Sequence, residues 1–179
     1  MANVINNLTC SMRFEGDLNV DLNEITMNMV PFPKMHFLQS SLSPLYNLIN
    51  PKMLPRNIDQ SFTDAFDRNM QLIQQGETPP LYLACGLIVR GNQVEISDIN
   101  RNVERLTKKL KMINWNQEGF KVGHCYQAPI NMNYSMLALS NNTGTRHILE
   151  RIRQRFTKIY KQRVFVHHYT QFMDVQGFD

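Results

Sequence analysis

The sequence predicts an α+β fold in which a mixed four-stranded sheet packs against helices. Its patterned segments follow the order helix, helix, strand, helix, strand, helix, strand, strand, helix, which favours a mixed sheet covered by helices. Residues 81–89 are nearly all apolar over nine positions, as in a strand buried on both faces. With 179 residues, 42% hydrophobic and 19% charged, the chain has the size and composition of a globular domain with its own core.

Two helices open the chain. Residues 1–14 carry an apolar stripe at helical spacing and are predicted to form the first helix. In the second helix, Leu22, Ile25 and Met29 are spaced to face the core. The Pro-Phe-Pro sequence at 31–33 prevents this helix from continuing.

The middle of the chain predicts two strands, a loop and a helix. Residues 34–38 read as a short strand, and residues 43–59, rich in proline and asparagine, read as a long loop. A helix over 60–71 follows, and the apolar segment 81–89 forms the central strand.

The rest of the chain predicts two helices and two strands. Ser97 is the expected cap of a helix whose apolar stripe is regular. Strands are expected over 120–126 and 134–139, and a last helix over 145–160. The apolar stripe of the helix that begins at Ser97 consists of Ile99, Val103, Leu106 and Leu110.

Charge and cysteine usage argue against several functional classes. No apolar run approaches the roughly 20 residues of a membrane helix, so no membrane partner is expected. Nineteen basic residues against fifteen acidic ones give a net charge of +4. The basic clusters at 108–111 and 151–155 are interpreted as solvated helix faces, with nucleic-acid binding as a minor alternative. Three scattered cysteines without a Cys-x-x-Cys motif indicate neither a metal site nor a disulfide framework.

The candidate functional segment is the polar loop and helix at 16–29. Asn19, Asp21 and Glu24 lie where the loop becomes the helix, so their side chains are expected to point outward at the helix N-terminus. A helix N-terminus favours the binding of phosphate groups, and polar side chains there can also orient a water molecule beside the phosphate. The plainer interpretation is capping, because Asp-x-x-Glu is a variant of the capping box.

This segment also resembles a known family. Residues 16–22 read Gly-x-Leu-Asn-x-Asp-Leu, and residues 28–37 read Asn-x-Val-Pro-Phe-Pro-Lys-x-His-Phe, as in the loop and helix that open the second domain of tubulins. Further segments resemble later strands and helices of that domain, in order and at similar spacing. These are 82–85 with 89–91, Trp115 with 119–123, 139–143, and 156–169. Three variants (His168, the segment 115–119 and the segment 96–106) resemble the epsilon class of the family.

The resemblance implies a tubulin/FtsZ-like second domain, a two-layer sandwich. Residues 1–14 would be the end of the helix that joins the two tubulin domains, and residues 15–179 would be the second domain. The N-terminal GTP-binding domain and the final helix with its acidic tail would be missing, so the sequence is expected to be truncated at both ends. The loop at 43–59 would occupy the place of the lateral-contact loop.

The resemblance also implies a function in a polymer. In tubulins the second domain contacts GTP that is bound to a longitudinal neighbour, so the expected partners are other tubulin subunits. Glu24 would promote GTP hydrolysis in trans, and Asn19 and Asp21 would contact the nucleotide region. GTP and magnesium would be supplied by the missing domain or by the neighbour, and the chain alone is expected neither to bind nor to hydrolyse GTP.

The implied location is the cytoplasm and cytoskeleton, including centrosomes, centrioles and basal bodies. An alternative function remains open: the chain is a binding module that docks on tubulin or caps it without polymerising.

Overall fold

The computed structural model describes residues 1–45, 57–73, 76, 79–130 and 132–174. It contains two compact units, Met1–Gly144 and Thr145–Asp179, which are described separately below. Most of the predicted loop at 43–59 lies outside the described residues.

The first unit is built on a mixed four-stranded sheet. Its strands are β1 (Leu38–Ser43), β2 (Tyr82–Arg90), β3 (Phe120–Cys125) and β4 (Ser135–Asn142). They lie in the order β1-β4-β2-β3, with β2 parallel to β3 and antiparallel to β4, which is also antiparallel to β1. Every residue of β2 and β4 is buried. The predicted α+β class and mixed sheet are confirmed.

One face of this sheet is covered by three helices, α1 (Ala2–Leu8), α2 (Cys10–Arg13) and α3 (Leu22–Met29). The predicted opening helix is therefore broken at Thr9. The helices pack on a cluster of buried apolar side chains that alternate along the strands with those of the other face. This cluster comprises Cys10, Val20, Ile25, Met29, Leu42, Ala84, Ile88, Cys125, Leu137 and Leu139.

The opposite face carries α4 (Ile58–Asp64) and α5 (Ile96–Lys109) around a second apolar cluster that includes Phe62, Leu87, Ile99 and Leu106. The side chain of Asp59 joins the two helices. Its Oδ1 accepts hydrogen bonds from Arg101 Nη2 at 2.9 Å and Asn102 Nδ2 at 2.5 Å. The hydrogen bond from Asn102, and next the one from Arg101, hold the pKa of the Asp59 carboxyl below its usual value.

The second unit contains α6 (Thr145–Lys161) and α7 (Val166–Tyr169). Within α6, Arg153 Nη2 lies 2.6 Å from Glu150 Oε1, and the rings of Phe156 and Tyr160 stack at 5.7 Å. The donors from Arg153 and Gln154 lower the pKa of Glu150 to about 2. The predicted helix over 145–160 is confirmed.

The first predicted strand was placed too early. Residues 34–38 were expected to be extended, but β1 begins only at Leu38. The reason is a turn after the prolines, closed by a hydrogen bond from Met35 N to Phe32 O at 2.9 Å. The chain can enter the sheet only after that turn.

The helix predicted over 60–71 is shorter than expected. It ends at Asp64, because the chain continues through a series of turns toward the edge of β1. There Leu72 N donates to Ser40 O at 3.1 Å, and Gln71 forms a bridge with Ser41. Turns and pairing with the sheet edge have replaced the last two predicted helical turns, residues 65–71.

The remaining corrections are small. The cap of α5 is Glu95 and not Ser97, whose hydroxyl donates instead to Glu95 Oε2 at 3.1 Å. Leu22, predicted to face the core, is 42% exposed because it lies in the first turn of α3. The strands predicted over 81–89, 120–126 and 134–139 are present, with ends displaced by at most three residues.

Candidate functional site

The loop before α3 is fixed along the edge of β3, the outermost strand on that side of the sheet. His124 N donates to Leu18 O at 2.9 Å, and Tyr126 N donates to Glu15 O at 3.1 Å, so the loop runs as a short antiparallel segment. Gly16 is required for this approach, because a Cβ there would lie 2.0 Å from His124 O. The position of the loop is therefore set by backbone contacts.

A polar cluster lies beneath the loop. The Tyr126 hydroxyl donates to Asp17 Oδ1, and this bond raises the pKa of Tyr126. Asp17 Oδ2 lies 3.6 Å from Nδ1 of the buried His124, whose Nε2 is 3.1 Å from Gly91 O. The cluster ties the start of the loop to β3 through side chains as well as backbone.

Asp21 is the cap of α3. Its Oδ1 accepts a hydrogen bond from Glu24 N at 2.7 Å, while its backbone is extended. The capping interpretation is confirmed for Asp21. Its contact with a nucleotide stays a prediction.

Glu24 lies in the first turn of α3 and leaves its carboxylate at the surface. Its side chain is 46% exposed, and the described contact of its Oε1 is with Lys121 Nζ at 3.8 Å. Burial of Ile25 and Met29 on the sheet fixes the rotation of the helix, so Glu24 projects from its flank, half-exposed and within reach of β3. Asn19, in the loop before it, is exposed too.

The far end of α3 is also held. Asn141 Nδ2 donates to Met29 O at 2.9 Å and to Met35 O at 2.7 Å, which binds the end of the helix and the segment after the prolines to β4. Met29 packs over Gly86 of β2, where a Cβ would lie 3.2 Å from its Sδ. The helix is thus fixed at both ends.

The structure brings one residue to this site that the sequence did not reveal. Lys121 appeared only as part of a family-like strand, and its nearness to Glu24 depends on how α3 crosses the sheet. Strand alternation could have placed Lys121 on the same face as Gly123 and Cys125. It could not have shown that α3 covers that face.

The described part of the chain contains neither a metal-binding cluster nor a helix that could span a membrane. No group of three or more histidine, cysteine, aspartate or glutamate side chains there is arranged to hold a metal ion. None of the helices within those residues combines the length and apolarity of a membrane span.

The fold and the loop–helix segment define a protein of the tubulin class. A family model described as the tubulin C-terminal domain matches residues 33–154, and the chain belongs to the tubulin family. The matched range begins after α3, so it includes Lys121 but not Asn19, Asp21 or Glu24.

Among individual proteins, the chain is similar to the tubulin epsilon chain of Mus musculus, with 53% identity over 171 residues. It is 50% identical to the tubulin epsilon chain of Homo sapiens over the same length. Both alignments cover 96% of this chain and 36% of the relative. The tubulin alpha-3 chain of Saccharomyces cerevisiae is 34% identical over 179 residues, which cover 40% of that protein. The chain thus spans little more than a third of the length of these relatives.

Proposed function

We propose that this chain forms the part of a cytoskeletal tubulin subunit that contacts GTP on a longitudinal neighbour, and that Glu24 promotes hydrolysis of that GTP. The observation that carries the proposal is the half-exposed carboxylate of Glu24 on a helix fixed at both ends. Asp21 caps the backbone N–H of Glu24, and the described contact of the Glu24 carboxylate is with Lys121 and not with the start of the helix. Family membership and similarity to tubulin epsilon and alpha chains support the same assignment.

The proposed chemistry is in-line attack of water on the γ-phosphate. The water oxygen bonds to the γ-phosphorus, the bond to the β,γ-bridging oxygen breaks, and GDP leaves with the bonding electrons. Glu24 accepts a hydrogen bond from the attacking water and takes its proton, which passes on to the phosphate product. Asn19 and Asp21 hold the loop against the nucleotide region.

GTP and magnesium belong to the neighbouring subunit in this proposal, and we assign no magnesium ligand to this chain. Its place of action is then the cytoskeleton, with centrosomes, centrioles and basal bodies as the finer expectation. The lateral contact implied for residues 43–59 is not needed for the reaction.

Glu24→Gln tests the proposal directly. The purified chain is added in increasing amounts to GTP-loaded αβ-tubulin that is too dilute to polymerise alone, and phosphate release is measured. The chain should accelerate turnover to a saturating rate, and Glu24→Gln should lower that rate by roughly 10²–10⁴, as for loss of a positioned base. Glu24→Lys should also abolish the acceleration.

Glu104→Gln is the matched control, because Glu104 is exposed on α5, across the sheet from α3. It should leave turnover unchanged. If Glu24→Gln changes only the chain concentration needed for half-saturation, or if the chain binds tubulin without accelerating turnover, the docking or capping module is the correct function.

A further inference from the structure

We infer that Lys121 is the phosphate-recognition residue of this site: it binds the γ-phosphate of the neighbour's GTP and in doing so releases Glu24. This inference rests on the proposed function. Lys121 is the residue that would make the site distinguish GTP from GDP.

The first argument is placement. Lys121 pairs with Gly86 in the parallel register between β3 and β2, so its backbone is held by the sheet. Gly86 is also the residue over which Met29 of α3 packs. Lys121 and Glu24 are therefore carried by two elements that meet at one fixed point, and their side chains reach the same patch of surface.

The second argument is direction. Cys125 belongs to the apolar cluster under α1 to α3, and a Cβ on Gly123 would lie 3.1 Å from Val20 in the same cluster. Because side chains alternate along a strand, Lys121 lies on that face too. Its ammonium emerges beside α3 with its side chain 35% exposed, as expected for a long side chain with a buried stem and a solvated charge.

The third argument is electrostatic. A carboxylate that must approach a nucleoside triphosphate is repelled by the negative charge of the phosphates. Lys121 Nζ lies 3.8 Å from Glu24 Oε1 and offsets that charge. The pair presents no net charge to the nucleotide until one partner is drawn away.

The fourth argument compares the two partners open to Lys121, the Glu24 carboxylate and a γ-phosphate. A half-exposed ion pair is weak, and this one is long at 3.8 Å. A phosphate carries more negative charge than a carboxylate and offers three strong acceptor oxygens, so an ammonium forms a stronger charge-assisted hydrogen bond with it. A γ-phosphate therefore displaces Glu24 from Lys121, and the freed carboxylate can accept its hydrogen bond from water. GDP lacks the phosphate that causes the exchange.

The test compares binding to two nucleotide states. Affinity of the chain is measured for αβ-tubulin loaded with a slowly hydrolysed GTP analogue and for αβ-tubulin loaded with GDP. Lys121→Met keeps the stem and removes the charge, and it should weaken binding to the triphosphate form roughly tenfold while leaving the GDP form unchanged. Lys121→Arg should recover most of the loss. Lys108→Met, on the exposed side of α5, is the control.

Turnover assays separate this inference from the proposed function. If Glu24→Gln abolishes acceleration while Lys121→Met leaves the triphosphate preference intact, Glu24 acts as proposed and Lys121 is not the recognition residue. If Glu24→Gln has no effect on turnover, the catalytic proposal fails, whereas loss of the triphosphate preference in Lys121→Met still supports phosphate recognition. Equal weakening of both nucleotide states by Lys121→Met contradicts the inference.

Discussion

At the residue scale, two carboxylates three positions apart have different surroundings. Asp21 accepts the backbone hydrogen bond that starts α3, whereas Glu24 extends beyond its own turn to the surface. The sequence predicted both capping and an outward carboxylate, but it could not assign one to each residue. The difference follows from the extended backbone at Asp21, with ψ of 170°, which turns its side chain back onto the helix start.

Asp21→Ala tests the cap. Loss of the side-chain acceptor should lower the free energy of unfolding by about 1 kcal/mol, since Glu24 N would lose its partner. Asp21→Asn keeps an acceptor oxygen and should retain most of the stability. Urea unfolding followed by circular dichroism measures both variants. An asparagine variant as unstable as the alanine variant would assign the stabilisation to the negative charge instead of the cap.

At the element scale, helices and strands were predicted correctly where the pattern of apolar residues alone determined the structure. The central strand was found because residues 81–89 are nearly all apolar, and α5 because its apolar stripe keeps helical spacing. Prediction failed where distant contacts decide local structure. The helix α4 ends early because Leu72 N bonds to Ser40 O of the sheet. The strand predicted from residue 34 was wrong for a local reason, because Pro33 occupies the second position of the turn 32–35.

Burial of β2 predicts a loss of stability at alkaline pH. Burial raises the pKa of the Cys85 thiol to about 12 from 9.0. Below about pH 9 the thiol is protonated in both the folded and the unfolded chain. Above that pH the unfolded chain releases a proton that the folded chain retains, so stability falls as pH rises toward 12. Each pH unit in this window should cost about 1.4 kcal/mol.

Cys85→Ala is expected to remove this part of the pH dependence. Free energies of unfolding measured in urea between pH 8 and 11 should fall less steeply in the variant than in the parent chain. A residual slope above pH 10 is expected from Tyr82, because burial raises its pKa to about 12 as well. Parallel curves for variant and parent would show that Cys85 does not titrate in this way.

At the scale of the whole molecule, the family resemblance predicted more than periodicity alone could. Sequence patterns alone predicted an α+β fold. The resemblance to tubulins is confirmed by the family match, and it added the prediction that residues 16–29 are a functional segment. Lys121 could not be predicted from either, because its contact with Glu24 joins two segments almost a hundred residues apart. Such a pair becomes visible only when the helix and the strand are placed on one sheet.

The proposed division of roles between two subunits leads to a last prediction. In the proposed function, α3 and β3 select the phosphate and activate water, and a neighbouring subunit holds the nucleotide. The purified chain should therefore not retain labelled GTP at micromolar concentrations in equilibrium dialysis and should release no phosphate. Addition of GTP-loaded αβ-tubulin should produce Glu24-dependent turnover in the same sample, which also shows that the chain is folded and competent. Stoichiometric GTP binding by the chain alone, undiminished in Lys121→Met, would mean that it holds a nucleotide site elsewhere, and catalysis in trans would lose its basis.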